Sequence, residues 1–313
     1  MGAYAFGVDI GGTAIKMGLF ETNGKLLEKW EIPTDTSENG SHILTDIADA
    51  MNEKIEAHKW DKHEIIGIGM GVPGPVDEKG NVLKCVNLGW GVFNIEEKME
   101  KLSGIPTKAG NDANVAALGE MYKGGGRGYT NIAMLTLGTG IGGGITIDGK
   151  ILAGINGAAG EVGHIPMNDE ETECCGCGKK GCLEQYASAT GIARMAKKKL
   201  AESNVDSVLK NDGEITAKKV FDAAKAGDAF AIEQVEELGK RLGKACACIA
   251  CVCNPQIFVI GGGVSKAGSI VTDVIKKYFC RYAFHAASNT PFALAELGND
   301  AGIYGGVKMV LPE

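Results

Sequence analysis

The sequence lacks an apolar run long enough to cross a membrane. Its most apolar stretch, residues 245–252, is soon followed by Asn254 and Pro255, whereas a spanning helix needs about 20 apolar residues. The N-terminus also lacks the basic segment and the following apolar segment of a secretory signal. We therefore expect a cytoplasmic protein with no membrane partner.

Positive charge is also scarce. The formal net charge is −7, whereas a nucleic-acid-binding protein usually presents a basic face. Hydrophobic residues make up 44% of the chain and charged residues 23%, which is the balance of a folded globular protein. A chain of 313 residues is long enough for two domains. We therefore expect a two-domain protein that binds no nucleic acid.

Glycine, in contrast, is abundant, and many of the 47 glycines occur in short clusters between apolar segments. Such clusters mark tight turns or places where the backbone approaches a ligand closely. Two of the turns each follow a predicted strand, over residues 4–10 and 132–137. These turns are Gly11-Gly12-Thr13 and Gly138-Thr139-Gly140.

Both halves of the chain thus open with a strand, a glycine turn and a returning strand, and continue with helices and further strands. This pattern predicts two α/β domains, over residues 1–115 and 116–300. A last helix over residues 301–313 is expected to pack back on the first domain. Two such domains that face each other form a cleft, where small-ligand sites are commonly built.

The glycine turns predict phosphate binding, because backbone N–H groups approach a phosphate there and threonine adds a hydroxyl donor. Asp9, at a strand end, is placed to hold Mg²⁺, and Lys16 to neutralise phosphate charge. Gly262 and Gly263 lie in a third turn, between a strand and a helix, on which a nucleotide could rest. Each turn alone is equally typical of a simple glycine hairpin. Two turns in matching contexts favour phosphate binding.

Asp112 is the candidate catalytic acid or base. It follows Asn111 and opens a predicted helix over residues 113–122. An aspartate at this place is typically an N-cap. Its alternative role is to take the proton from an attacking hydroxyl in phosphoryl transfer, which needs one positioned carboxylate and charge stabilisation of the phosphates. The residues around it leave both roles open.

A compact cysteine cluster predicts a zinc site. Three thiolates and one imidazole form a closed tetrahedral set, and short cysteine spacings in a chain without a signal peptide favour metal over disulfides. The candidate ligands are His164, Cys175, Cys177 and Cys182, with Cys174 as a spare. The alternative is a set of reduced thiols without metal. A structural zinc would fix His164, whose other N–H is free to donate to a second group.

These motifs together resemble the ROK family of sugar kinases and repressors. The resemblance rests on segments that occur in the family's order, from the first strand to the cysteine cluster. They are DIGGTAIK (9–16), GVPGPVD (71–77), NDANVAALGE (111–120), TLGTGIGGG (136–144), GEVGH (160–164) and CGCGKKGCLE (175–184). The cysteine motif is specific to this family, whereas the glycine turns are shared with the wider actin and hexokinase superfamily.

The resemblance implies an actin-like α/β fold of two ribonuclease-H-like domains with a zinc knuckle at 164–182. It implies an ATP-dependent sugar kinase with Mg²⁺, structural zinc and a homodimeric state, in which Asp112 acts on a sugar 6-hydroxyl. Residues 87–90 and 297–302 look most like those of the family's bacterial glucokinases, so glucose is the expected acceptor. The implied sugar contacts are Asn87, Asn111, Asp112, Glu161, His164 and Glu184.

Several alternatives remain open at this point. Alternative acceptors are N-acetylmannosamine, N-acetylglucosamine, fructose and allose, and the shape of the pocket around the sugar 2-position decides among them. Polyphosphate is an alternative to ATP as the donor. A sugar-sensing protein without turnover is a different class. Because the chain begins at the first strand, we expect no helix-turn-helix of the kind that family repressors carry. A zinc hydrolase would need an open metal position, which four protein ligands do not leave.

Overall fold

The structure is a computed structural model that describes residues 3–210 and 213–312. Glu313, the last residue of the predicted final helix, and residue 1 of the predicted first domain lie outside the described residues. The chain divides into two compact units. Unit 1 comprises the chain up to Thr130, Gly144–Gly160 and the chain from Leu297 onward, and unit 2 comprises Asn131–Gly143 and Glu161–Glu296.

Both units contain strands and helices, as the sequence predicts. The strands are β1 (Tyr4–Ile10), β2 (Ala14–Glu21), β3 (Leu26–Pro33), β4 (Ile65–Val72), β5 (Asn81–Val82), β6 (Phe93–Asn94), β7 (Thr107–Asn111), β8 (Ile132–Leu137), β9 (Ile141–Ile147), β10 (Lys150–Ile151), β11 (Ile257–Gly261) and β12 (Phe292–Leu294). The α-helices are α1 (Ile43–His58), α2 (Ile95–Ser103), α3 (Asp112–Lys123), α4 (Glu184–Ala187), α5 (Ala189–Glu202), α6 (Ala217–Lys225), α7 (Ala229–Cys253), α8 (Ser269–Tyr282) and α9 (Ala301–Val310).

Unit 1 is built on a sheet of strand order β3-β2-β1-β4-β7. Strand β1 is antiparallel to β2 and parallel to β4, which is parallel to β7. Alternate residues of β1 serve opposite faces, as the period of a strand requires. Phe6 and Val8 join the cluster that includes Ile43 and Ile47 of α1, whereas Ala5 packs with Ile303 of α9. The sheet is therefore covered by helices on both faces.

Helix α9 packs unusually close to the strands and to α3, because glycines occupy the contact. A Cβ atom at Gly7 would lie 2.0 Å from the backbone oxygen of Ile303, and one at Gly69 would lie 1.7 Å from that of Gly306. On the other side of the helix, a Cβ atom at Gly305 would lie 1.7 Å from the oxygen of Val115. Only residues without a side chain permit this approach.

The outer strand of the same sheet, β7, donates its outward N–H groups to side chains. The N–H of Thr107 donates to Glu100 Oε1 at 3.0 Å, and the N–H of Ala109 donates to Glu96 Oε1 at 2.9 Å. The other oxygen of Glu96 pairs with Lys108 at 3.0 Å. Both glutamates lie on α2, which thereby satisfies backbone donors that a neighbouring strand would otherwise accept from.

The second sheet has the strand order β10-β9-β8-β11-β12. Strand β11 is parallel to both β8 and β12, and β10 is antiparallel to β9. Two helices of unit 2 begin at conventional caps. Thr216 accepts from the N–H of Lys219 and precedes α6, and Asp228 accepts from the N–H of Ala231 and precedes α7.

The units differ from the domains predicted at 1–115 and 116–300. Residues 116–123 belong to unit 1 because they continue α3, which packs against α9 in that unit. Residues 144–160 return to unit 1 as well, whereas the knuckle at 164–182 lies in unit 2. The short strands β5 and β6 and the short helix α4 are not predicted by sequence pattern. Within the described ranges, no helix has the length and apolarity to cross a bilayer.

The close packing of α9 predicts the effect of Gly305→Ala. The added methyl group gains about 1 kcal/mol of helix propensity, but it must displace the Val115 carbonyl, and overpacking of this kind costs about 3 kcal/mol. We expect a net loss of about 2 kcal/mol in the free energy of unfolding, measured by urea denaturation.

Gly91→Ala is the matched control, because the described structure places no heavy atom within 4 Å of its Cβ position. We expect this variant to stay within about 0.5 kcal/mol of the parent. Equal stability of the two variants would contradict the packing argument.

Candidate active site

Two aspartates meet at the carboxyl edge of the unit 1 sheet. Asp9 lies near the end of β1 and pairs with Gly71 of β4, and Asp112 follows β7 directly. A Cβ atom at Gly71 would lie 3.6 Å from Asp9 Oδ1 and 3.5 Å from the Cα of Asp112. The missing side chain of Gly71 therefore leaves space between the two acidic residues.

The Asp9 carboxylate is partly desolvated. Burial raises the pKa of Asp9, and the nearby Lys16, with its Nζ 3.8 Å from Oδ2, opposes the rise. A Cβ atom at Gly302, in the first turn of α9, would lie 2.5 Å from the Asp9 carboxyl carbon. The carboxylate thus contacts a helix N-terminus, where the helix dipole favours negative charge.

The first glycine turn is closed by the backbone and opens toward solvent. The N–H of Gly11 donates to the oxygen of Ala14 at 3.0 Å, and the hydroxyl of Thr34 donates to the oxygen of Gly11 at 2.7 Å. Gly12 and Thr13 are exposed, and no described heavy atom lies within 4 Å of a Cβ position at Gly12. An anion can therefore reach this turn.

Asn111, and not Asp112, caps helix α3. The Oδ1 atom of Asn111 accepts from the N–H groups of Ala113 and Asn114, and its Nδ2 donates to the oxygen of Gly74 at 3.4 Å. Asp112 is the first residue of the helix. The alternative role of Asp112 as the N-cap is therefore wrong, although its own Oδ1 also accepts from the N–H of Ala113, at 2.8 Å.

Asn87 is exposed in the turn Val86–Leu88, beside the same edge. The preceding Cys85 donates its Sγ hydrogen to the oxygen of Pro73 at 2.9 Å. Burial raises the pKa of the Cys85 thiol, and the negative charge of Asp112 adds to the rise. The turn that carries Asn87 thus lies within electrostatic reach of Asp112.

In unit 2, the turn Gly138–Gly140 is anchored on the start of α5. Its own N–H of Gly138 donates to the oxygen of Gly140 at 3.0 Å. From α5, the N–H of Ala189 donates to the backbone oxygen of Gly138 at 2.8 Å. The hydroxyl of Thr190 donates to the backbone oxygen of Thr139 at 2.5 Å. Thr139 itself is exposed. The turn is therefore fixed while its hydroxyl faces solvent.

The third glycine turn lies next to this one, because β8 and β11 are parallel neighbours. Gly262 has a φ of +81° and a Cβ atom there would lie 2.6 Å from the backbone of Leu137, so only glycine fits. Gly263 lines a cavity of about 380 Å³. The same cavity is lined by Thr216, Lys218 and Phe221 at the start of α6, and by Lys266.

The predicted zinc ligands come together in unit 2. The ligand atoms of His164, Cys175, Cys177 and Cys182 all lie within 4.8 Å of one another. The Sγ of Cys175 is 3.7 Å from His164 Nδ1, and the Sγ atoms of Cys177 and Cys182 are 3.7 Å apart. Zinc–sulfur bonds of about 2.3 Å in a tetrahedron separate two sulfurs by about 3.8 Å. The set therefore fits zinc.

Metal binding at this cluster is coupled to the protonation of the thiols. Burial raises the pKa of Cys175 to about 12 and raises that of Cys182, whereas the backbone N–H of Lys179 lowers that of Cys177. Two of the thiols are thus kept neutral when only protein surrounds them. Because the metal binds thiolates, zinc binding must release protons here.

The three remaining predicted sugar contacts are His164, which belongs to this cluster, and Glu161 and Glu184, which lie beside it. His164 turns Nδ1 toward the thiols and Nε2 toward Glu161, whose Oε2 is 3.9 Å away. Glu184 connects the cysteine cluster to the residue that follows the turn Gly138–Gly140. Its Oε1 accepts from Cys175 Sγ at 2.8 Å, and its Oε2 accepts from the N–H of Ile141 at 3.2 Å. Of the three, Glu161 and His164 are the more exposed.

Residues 5–313 match the ROK family. The chain belongs to this family. It is 48% identical to a glucokinase of Halalkalibacterium halodurans, over 96% of this chain and 92% of the relative. The predicted membership of the ROK family is therefore confirmed.

Two solved ROK structures are also similar. A ROK family glucokinase from Streptomyces griseus in complex with glucose and AMPPNP is 34% identical, covers 98% of this chain and 99% of its own, and has a TM-score of 0.74. A ROK hexokinase from Thermus thermophilus is 28% identical, covers 98% and 97%, and has a TM-score of 0.78. The predicted α/β fold of the actin-like, two-domain type is confirmed by these ROK structures.

The ROK motifs thus predict which residues cluster within each unit, but not the residues that hold those clusters in place. The hydrogen bonds from Ala189 and Thr190 to the turn Gly138–Gly140 were not predicted. The Ser188 cap of α5 is nevertheless visible in the sequence, as a serine before a helical pattern. The lysines that line the cavity at the start of α6 were also missed. Lys218 lies far in sequence from the glycine turn, whereas Lys266 follows Gly263 by only three residues.

The raised pKa of Asp9 predicts a stability effect with a definite sign. A carboxyl whose pKa is higher in the folded than in the unfolded state contributes stability below its ordinary pKa, and this contribution is lost as the pH rises through the raised value. Asp9→Asn removes the buried charge. We expect a higher midpoint of thermal unfolding for this variant at pH 7 without nucleotide, and little difference at low pH.

Exposed Asp49→Asn on α1 is the control and should leave the midpoint unchanged at both pH values. A lower midpoint for Asp9→Asn at pH 7 would mean that Lys16 more than compensates the burial of the carboxylate.

The ligand geometry predicts which of two adjacent cysteines holds zinc. Cys175→Ser should lower the zinc content well below one per chain, because serine is a poor zinc ligand. Cys174→Ser should retain it, because Cys174 is exposed and outside the four-ligand set. Metal analysis of the purified variants distinguishes them. Equal zinc loss in both would contradict the assignment.

Proposed function

We propose that the protein is an ATP-dependent glucokinase, which converts glucose and ATP to glucose 6-phosphate and ADP. The observation that carries the proposal is the pairing of Asp112 and Asp9 across Gly71 at one sheet edge. One carboxylate is placed for a proton and the other for a metal ion at the phosphates. Similarity to proteins named glucokinase supports the choice of sugar.

In the proposed reaction, the glucose 6-oxygen attacks the γ-phosphorus and its hydrogen passes to the Asp112 carboxylate. The bond between the γ-phosphorus and the β–γ bridging oxygen breaks, and ADP leaves with the electron pair of that bond. Little covalent chemistry is required of the protein, so positioning and charge stabilisation account for most of the catalysis.

The donor binds at the three glycine turns in this proposal. Gly11, Gly12 and Thr13 donate to the transferred phosphate, and Gly138, Thr139 and Gly140 donate to the other phosphates. Mg²⁺ held near Asp9 supplies charge neutralisation at the phosphates when it is bound. Lys16, 3.8 Å from Asp9, opposes the rise in the pKa of that carboxylate and contributes positive charge.

The adenosine end of the donor is assigned to the cavity beside Gly262 and Gly263. Its volume of about 380 Å³ suits a nucleoside. Phe221 offers an apolar surface for the base, and Lys218 and Lys266 offer positive charge at the wall. This assignment extends the predicted nucleotide turn to a complete pocket.

The acceptor sugar is assigned to Asn87, Asn111, Asp112, Glu161, His164 and Glu184. These residues do not contribute equally. Asn111 already uses its oxygen as a helix cap, and both oxygens of Glu184 accept hydrogen bonds from protein groups. The more exposed Glu161 and the Nε2 of His164 are therefore the most direct contacts proposed. Zinc held by His164, Cys175, Cys177 and Cys182 would orient this ring and would supply no reaction chemistry.

A sugar and donor panel tests the proposed substrates. Turnover is measured by release of ADP or loss of polyphosphate, with glucose, N-acetylmannosamine, N-acetylglucosamine, fructose and allose. We expect the highest kcat/KM with glucose and ATP. A preference for an N-acetyl sugar or for polyphosphate overturns the corresponding assignment, and no turnover with any pair favours a sugar-sensing protein.

The role of Asp112 predicts the behaviour of Asp112→Asn. Removal of the general base should lower kcat by about 10³-fold or more, while glucose affinity measured by calorimetry changes little because the amide occupies the same volume. Asp49→Asn should behave as the parent. Near-parental turnover by Asp112→Asn would show that another group takes the proton.

The homodimeric state and the cytoplasmic location stay predictions of the family resemblance. Analytical ultracentrifugation tests the first. A single boundary at the mass of one chain, 32.7 kDa, would contradict it.

A further inference from the structure

A second group of charged side chains surrounds the zinc knuckle without contributing a metal ligand. We call it the Arg194 cluster. It consists of Arg194 on α5, Gln185 and Tyr186 on α4, and Glu171 and Glu173 in the segment that precedes the cysteines. The motifs that identify the family leave all five residues unexplained.

Arg194 contacts both arms of the knuckle. Its Nη1 is 2.8 Å from Glu173 Oε2, and its Nη2 is 2.9 Å from Glu171 Oε2. Nη2 and Nε also donate to the backbone oxygen of Gln185, at 3.1 and 3.3 Å. The two glutamates precede the first candidate zinc cysteine, Cys175, and Gln185 follows the last, Cys182. One guanidinium therefore joins the segments on both sides of the cysteines.

Tyr186 and Gln185 complete the connection. The hydroxyl of Tyr186 donates to Glu171 Oε2 at 2.7 Å and accepts from Asn168 Nδ2 at 3.0 Å. The side chain of Gln185 donates to the backbone oxygen of Glu173 and accepts from the N–H of Cys182, both at 3.0 Å. One zinc ligand is thus tied directly to this cluster through its backbone.

The Glu171 carboxylate stays ionised down to low pH. The hydrogen bonds from Tyr186 and Arg194 lower the pKa of Glu171 to about 2. The charge-assisted hydrogen bonds of such a guanidinium are the stronger class of side-chain hydrogen bond. The Glu171 side chain is only 8% exposed, so solvent screens this pair less than an ordinary surface pair.

We propose that Arg194 is a positioning residue, which holds the two arms of the knuckle together without metal and so presents His164 and Glu184 in the geometry for zinc and sugar. Its effect on sugar rests on the proposed function, whereas its effect on zinc does not. Because α5 also anchors the phosphate turn through Ala189 and Thr190, the same helix supports the donor and acceptor sides of unit 2.

Arg194→Ala tests the proposal in the zinc-loaded protein. Zinc release to a chromophoric chelator should accelerate about tenfold, because loss of a group that supports metal ligands typically costs 10- to 100-fold in metal affinity. The KM for glucose should rise severalfold, and kcat should change less because Asp112 lies on α3 in unit 1. The KM for ATP should change little, because the anchors of the phosphate turn remain.

Guanidinium rescue separates positioning from general destabilisation. Millimolar guanidinium chloride should slow zinc release from Arg194→Ala toward the parental rate, because the ion occupies the vacated place between the two glutamates. Arg194→Lys should be rescued less and should remain impaired, because an ammonium cannot bind two carboxylates in a planar fork. Tyr186→Phe, which loses one hydrogen bond to Glu171, should give a smaller acceleration.

Lys199→Met is the matched control. Lys199 lies on the same helix and pairs with Glu233 at 2.9 Å on the exposed surface, away from the knuckle. We expect its zinc release and kinetics to match the parent. Parental zinc release by Arg194→Ala, or release as fast from Lys199→Met as from Arg194→Ala, overturns the proposal.

The two proposals fail in different ways. If the protein phosphorylates no sugar, the sugar panel is negative, yet zinc release from Arg194→Ala is still accelerated. If the protein is a glucokinase but Arg194 is not a positioning residue, turnover of the parent is normal and zinc release is unchanged in the variant.

Discussion

The contact of helix α9 with its sheet, backbone against backbone, is the constraint on which unit 1 depends. Gly7, Gly69 and Gly305 bring the helix so near that any side chain at these positions would meet a carbonyl oxygen. The same approach sets Gly302 against the Asp9 carboxylate, so the place of the charged group follows from the packing. The cost is a buried carboxylate with a raised pKa, which Lys16 only partly offsets. Functional sites commonly accept such a loss of stability.

The two units use different means to fix their functional groups. In unit 1, strand ends and a helix start place Asp9 and Asp112, and Asn111 caps the helix that Asp112 begins. In unit 2, irregular segments carry the functional groups, and irregular backbone needs outside support. The start of α5 and the Arg194 cluster supply that support, in addition to any bound metal.

Local pattern predicted much of this arrangement. Strand β1 was predicted over the residues the structure gives it, and the clustering of the four candidate zinc ligands followed from spacing, because both signals are contained in short stretches of sequence. The division into units was not predicted, since residues 144–160 return to unit 1 only through tertiary packing. Arg194 was missed for the same reason: nothing near it in sequence reveals Glu171 or Glu173. The two-residue strands β5 and β6 are too short to show a period.

The carboxylates of α2 that accept hydrogen bonds from strand β7 also affect how this strand can pair with another chain. An outer strand with unpaired N–H groups is a template on which another chain can add a strand of its own. Glu96 and Glu100 occupy two of those positions and surround them with negative charge. A passing strand would have to displace both acids before it could pair. The edge is thereby protected against aggregation at the high protein concentrations of a cell.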